Sequence, residues 1–216
     1  MLANLALWLA QPSPVCFTTI FHARSWAISE AAGLPLVIEL ISTQPALHCH
    51  PNNVDTVLTP EQVSEAGRLH TILTAIPPKN SLWQGLRMSW AALCTSIDDL
   101  RYPLFWSALE SLFGLDDRAP QFSRRMRQRI ARFLTDDIDG QDLIDKQTME
   151  CYDMRSKIVH GRWLYDPDLD RMMGYTEDFV RCSLLRILNR PDLVSIFQSD
   201  VRAKYMNQLV DEFPLY

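Results

Sequence analysis

The sequence predicts an all-α fold, a helical bundle beginning near residue 59, preceded by a short N-terminal segment of mixed α/β character. Three observations carry this expectation. Helix start and stop signals recur from Thr59 onward, and they bracket apolar residues at helical spacing. Only 7 glycines occur among 216 residues, as long helices with short connections require. Before Thr59, by contrast, prolines and β-branched residues dominate the pattern.

Met1 to Ala10 is apolar and reads as a buried first helix, ended by Pro12 and Pro14. It has no basic flank before Arg24 and is too short to span a bilayer. No other run approaches membrane-spanning length. Val15 to Phe21 suits a strand, and Leu36 to Ile41 suits either a second strand or a buried helical turn. Pro45 to Asn53 reads as loop. Residues 1–58 are therefore expected to form an appendage, and residues 59–216 the helical domain.

Thr59-Pro60-Glu61-Gln62 combines a Thr N-cap, Pro at the first helical position and a capping-box partner. The helix it opens should stop before Pro77-Pro78. Further helices are expected over Ser81 to Thr95, Leu104 to Phe113 with Gly114 as the residue after the cap, and Ser123 to Leu134 capped by Ser123. The next should run from Gly140 to His160, ended by Gly161. Asp168 to Asn189 follows, with Gly174 near its start, and Pro191 opens a last helix reaching about Phe213.

Apolar residues make up 47% of the chain, enough for a sizeable core. The net charge of -5 argues against a broadly basic, non-specific nucleic-acid binder. Contact with RNA must then come from a local patch. The five cysteines, Cys16, Cys49, Cys94, Cys151 and Cys182, form no CxxC pair, and free thiols in a reducing cytoplasm are the simplest reading.

Two segments together resemble the Apea-like branch of the HEPN superfamily. The first is Phe105-Trp-Ser-Ala-Leu-Glu-Ser-Leu-Phe-Gly114, similar to that branch's ALE-x-LF helix. The second is Cys151-Tyr-Asp-Met-Arg-Ser-Lys-Ile-Val-His-Gly161, similar to its Y-x-x-R-S-x-x-x-H-G helix, with the Arg-x-x-x-x-His signature at Arg155 and His160. The resemblance spans roughly Thr59 to Phe213. It implies a helical bundle that dimerises, and in many members a metal-independent RNase site, often in toxins or antiviral defence. No cofactor is implied. RNA is the implied substrate, a second copy of the chain the implied partner, and an antitoxin or regulatory protein a further one. Other members are catalytically silent and bind a partner protein or nucleic acid. The family often places Asn, Asp or His after the arginine, where this chain has Ser156.

The residue types fit the chemistry. RNA cleavage without metal needs a proton taken from the 2′-OH, a proton given to the leaving 5′-oxygen, and charge stabilisation between. Histidine transfers protons near neutral pH, and arginine grips phosphate oxygens. Ser156 and His160 are four residues apart and share a helix face, with Tyr152 one turn earlier. Arg155 lies about 140° around the helix from His160. A two-fold dimer that pools Arg and His from both chains, as the family is thought to do, would bring them together. An Arg and a His near a helix end can equally be a carboxylate partner and a cap.

Glu110, inside the apolar helix, is placed either to orient Arg155 or to form a simple structural ion pair with it. Arg118, Arg124, Arg125, Arg127, Arg129 and Arg132 form the densest basic run, with Arg125, Arg129 and Arg132 on one stripe. That stripe is a candidate phosphate-contacting face, or else a solvated face balanced by Asp136, Asp137 and Asp139. His48-Cys49-His50 has poor spacing for one tetrahedral metal and reads as incidental loop residues. Trp83, Trp90 and Trp106 sit in apolar stripes and read as core, with base stacking the alternative.

Overall fold

A computed structural model of the chain describes residues 1–12, 19–23, 38–43, 47–48, 57–115, 122–161 and 167–211. Among these, nine helices and one two-stranded hairpin are present. In chain order they are α1 (Leu2–Ala10), β1 (Thr19–Ala23), β2 (Ile38–Thr43), α2 (Pro60–Thr74), α3 (Ser81–Leu93), α4 (Asp98–Phe113), α5 (Phe122–Leu134), α6 (Ile138–Val159), α7 (Leu169–Leu188), α8 (Pro191–Phe197) and α9 (Arg202–Asp211). The helices form a bundle. β1 and β2 pair antiparallel, with a bulge between Ile20 and Phe21. No helix among the described residues is long and apolar enough to cross a membrane.

Local chemistry sets the helix ends. Thr59 and Gln62 form the expected capping box at α2: the Gln62 amide donates to the Thr59 hydroxyl at 3.3 Å, and the Thr59 amide to the Gln62 side chain at 2.8 Å. Asn80 caps α3 by accepting from the Trp83 amide at 2.8 Å. Asp137, rather than Gly140, opens α6, accepting from the Gly140 amide at 2.7 Å. At the far end Gly161 has φ +64, the left-handed conformation that a side chain disfavours.

Further expectations are corrected. α4 begins at Asp98 and runs through Pro103, ahead of the expected start at Leu104. A proline this close to a helix N-terminus forfeits one backbone bond, while Asp98 and Asp99 favour the first turn. Gly114 caps α4 in an extended conformation. Ser123 lies inside α5 rather than at its cap. The single last helix is two, α8 and α9, separated by a turn through Ser199 and Asp200 that returns the chain so that Met206 reaches the core. α7 runs unbroken across Gly174.

α3 packs along α4, where a side-chain carbon added at Gly85 would sit 3.0 Å from Leu112. Phe113, Phe133 and Phe197, from α4, α5 and α8, meet edge to face with centroids 5.2 to 6.4 Å apart. α1 belongs to this same apolar core: Leu5, Trp8 and Leu9 are fully buried. The Trp8 indole donates to Glu177 Oε1 at 3.0 Å, and Arg101 donates to Glu177 Oε2 at 2.8 Å. Arg181 of α7 donates to the carbonyls of Trp8, Leu9 and Ala10, which α1 leaves unpaired at its C-terminus. The first helix of the expected appendage is thus stitched into the bundle.

Candidate functional site

Tyr152, Arg155, Ser156 and His160 all belong to the last turns of α6, a helix of 22 residues, or to its cap. His160 is the C-cap residue itself, its amide donating to the carbonyls of Ile158 and Ser156. Its side chain is exposed, with no hydrogen bond to a described residue. Ser156 and Tyr152 are half-buried on the turns before it. The Tyr152 ring packs edge to face on Trp106 with centroids 5.7 Å apart.

Arg155 points elsewhere. Its Nη2 lies 3.3 Å from Glu110 Oε1 on α4, both side chains being 28% exposed. The pair joins the two segments that carry the family resemblance. The Arg155 Nε is buried without a hydrogen-bond partner among the described residues. Burial pushes the Glu110 carboxyl above its ordinary range, and Arg155 opposes that shift without cancelling it. A fully formed bidentate pair would have lowered it. The contact is therefore long, one-sided and only partly compensated, and leaves Arg155 with donors to spare.

Two of the three arginines in the stripe on α5 are engaged within the fold rather than standing open to a phosphate. Arg129 is 1% exposed, and its guanidinium donates to the carbonyls of Met206 and Phe113 and to the Asn207 side chain. Arg132 is half-buried and donates to the carbonyls of Leu209 and Val210. Both hold α9 against α5: Arg132 satisfies carbonyls that α9 leaves open at its C-terminal end, and Arg129 bridges the Phe113 carbonyl at the end of α4 to Met206 and Asn207 within α9. Arg125 is half-buried on the same helix. Arg118 lies outside the described residues, as do Cys49 and His50 of the His-Cys-His run. Among the described residues no group of three His, Cys, Asp or Glu could hold a metal ion. Trp106 is core, while Trp83 and Trp90 are only half-buried.

Glu110 has a second neighbourhood. It lines an open cleft of about 900 Å³ whose wall also includes Lys79, Trp83, Arg87, Phe122 and Arg202. Lys79 has φ 75, a left-handed backbone unusual for a side-chain-bearing residue. Arg202 donates to the carbonyls of Leu112 and Gly114 at the end of α4, and burial lowers its pKa. No pattern in the sequence announces this constellation. Its cations come from positions 79, 87 and 202, which share no motif or periodicity, and only the return of the chain through α9 assembles them.

No family model matches the chain, and no curated protein or solved structure is significantly similar to it.

Proposed function

We propose that this chain is a metal-independent endoribonuclease of HEPN type, acting as a homodimer, with toxin or antiviral defence its setting. The observation that carries the reading is the end of α6. A histidine stands exposed at a helix cap, five residues after an arginine that is tethered to Glu110 by one long contact. His160 would take or give protons at the 2′-OH and the 5′-oxygen. Arg155, with its unused donors, would hold the phosphate as negative charge develops. Tyr152 and Ser156 would assist by hydrogen bonding. One histidine cannot be base and acid at once, so two copies sharing a cleft would supply both roles.

A non-catalytic module that binds a partner protein or nucleic acid is the second reading. The Arg155–Glu110 pair favours it, because a structural ion pair needs no substrate to explain it. Cleavage of varied RNAs in EDTA, by wild type and by His160→Ala and Arg155→Ala, separates the two. The nuclease reading expects cleavage by wild type and a loss of roughly 10²-fold or more in either variant, the size of removing one transition-state partner. Wild type that cleaves nothing would sink it. Activity lost only on adding EDTA would sink the metal-free mechanism.

A further inference from the structure

We infer that the groove between α3, α4 and α9 takes an extended acidic segment of a partner protein, with two carboxylates four residues apart and an apolar side chain midway. Three cations, Lys79, Arg87 and Arg202, stand in its wall, and none forms an ion pair among the described residues. Elsewhere Arg68, Arg127, Arg171, Arg186 and Arg190 each find a carboxylate. Carboxylates outnumber Lys and Arg in this chain, 26 to 21, so the groove reverses the charge of its surroundings and attracts acidic groups that the rest of the surface repels. An adjoining cavity of about 350 Å³ shares Lys79, Asn80, Ser81 and Arg202 with it and continues towards Gln198 and Asp200. The two together have the elongated form that a chain segment needs.

Spacing sets the pattern. Lys79 precedes the N-cap of α3, and Trp83 and Arg87 follow four residues apart on one face of that helix. Lys79 and Arg87 are therefore separated by about 12 Å at the helical rise of about 1.5 Å per residue. An extended peptide advances about 3.3 Å per residue, so side chains four apart are about 13 Å from one another and point the same way. The residue midway between them also points that way and meets Trp83, which is half-buried and stands between the two cations. The N-terminus of α3 adds the positive end of its dipole beside Lys79. Arg202 is already held by the carbonyls of Leu112 and Gly114 at 2.8 and 2.9 Å, so little of its conformational freedom remains to be lost. The polar part of the wall favours a peptide over a nucleic acid. Gln84 presents both a donor and an acceptor, Ser111 spends its proton on the Ser107 carbonyl and presents an acceptor, and Glu110 is a carboxylate. A peptide main chain brings N–H donors to these acceptors, whereas a phosphodiester brings further acceptors and further negative charge.

The inference rests on neither reading of His160. Its test is selection of random octapeptides displayed on phage against the whole chain, then fluorescence anisotropy with the tightest selected peptide, labelled. The selected sequences should carry Asp or Glu at two positions four apart, with an apolar residue midway. Lys79→Gln and Arg87→Gln should each weaken that peptide about three- to fivefold, the size of a solvent-exposed ion pair, and the double variant about tenfold or more. Both residues are exposed, so neither substitution threatens the fold, and Lys204→Gln on the exposed side of α9 should change nothing. Glutamine in place of one peptide carboxylate should cost as much in wild type and nothing further in the variant that lacks the facing cation; a mere change in the protein's net charge would not produce that coupling. Selection without enrichment of acidic sequences, or an equal loss with Lys204→Gln, overturns the inference. So does a single-stranded RNA that displaces the peptide and loses as much affinity in the same two variants, because the groove would then be a nucleic-acid site.

Discussion

Replacing Glu177 by glutamine should be among the most destabilising isosteric changes in the molecule. Glu177 is 1% exposed, and its two oxygens serve different donors: Oε1 takes the Trp8 indole N–H, and Oε2 takes Arg101 Nη2. An amide has one acceptor oxygen. Whichever way the substituted side chain turns, its NH₂ group must face a donor, either the indole or the guanidinium. Arg101, itself 5% exposed, also loses its counter-charge, and its Nε already lacks a partner among the described residues. Leaving one member of a buried pair uncompensated costs about 3–5 kcal/mol. That is a large share of a total stability of about 5–15 kcal/mol. Trp8→Phe removes one donor and keeps the pair, so its polar cost is nearer about 2 kcal/mol. The double variant Arg101→Met/Glu177→Leu removes both charges and should recover much of the loss of Glu177→Gln. Urea denaturation followed by far-UV circular dichroism measures all three. A cost below about 1 kcal/mol for Glu177→Gln, or a double variant less stable than that single one, would refute the argument.

Glu110→Gln should show an opposite, pH-dependent effect. The folded pKa of Glu110 is raised, so its contribution favours the fold below the ordinary carboxylate pKa and is lost as pH rises through the folded value. Denaturation at about pH 4 and about pH 7 should therefore show glutamine gaining relative to glutamate at the higher pH; a gap that stays constant would contradict the shift. Arg129→Met should cost about 3 kcal/mol, since at least two buried acceptors lose their donor. Measured where the variant is still folded, its RNA affinity should keep the wild-type salt slope; a fall of about 0.7 would return Arg129 to the phosphate-binding surface.

The helices were legible wherever their ends are local events. Thr59, Gln62 and Gly161 act on backbone groups within four residues, so sequence spacing contains the whole interaction. The stripe of Arg125, Arg129 and Arg132 was equally visible as a stripe, yet periodicity identifies only a face and not what meets it. α9 meets it, and the carbonyls of Met206, Leu209 and Val210 claim the guanidinium groups. Those contacts lie 77 and 78 positions away in the chain, beyond any local rule. Long arginines can bury where shorter cations cannot, because their rigid fork satisfies several acceptors at once. Charge density along a helix is therefore a poor guide to nucleic-acid contact when the cation is arginine and a helix end lies across from it.

The same distinction bears on Arg155 and His160. The helix turns the two outward in different directions, and the fold gives each a different commitment: Arg155 to α4 and Glu110, His160 to solvent. A single copy has no evident way to focus both on one phosphate without breaking the Glu110 contact. That contact is weak enough to break, since at 3.3 Å and 28% exposure it belongs with partly solvated pairs worth about 1 kcal/mol or less. A phosphate is a better partner for the guanidinium than a half-desolvated carboxylate, so substrate would compete for Arg155 on favourable terms. The outer face of α6 also presents Met149 and Val159, 43% and 50% exposed, on the helix that ends at His160. On the nuclease reading, a second copy covering that face would bring the missing proton-transfer group and exclude water from the site at once. Catalysis would then depend on protein concentration, whereas a purely structural Arg155–Glu110 pair would not.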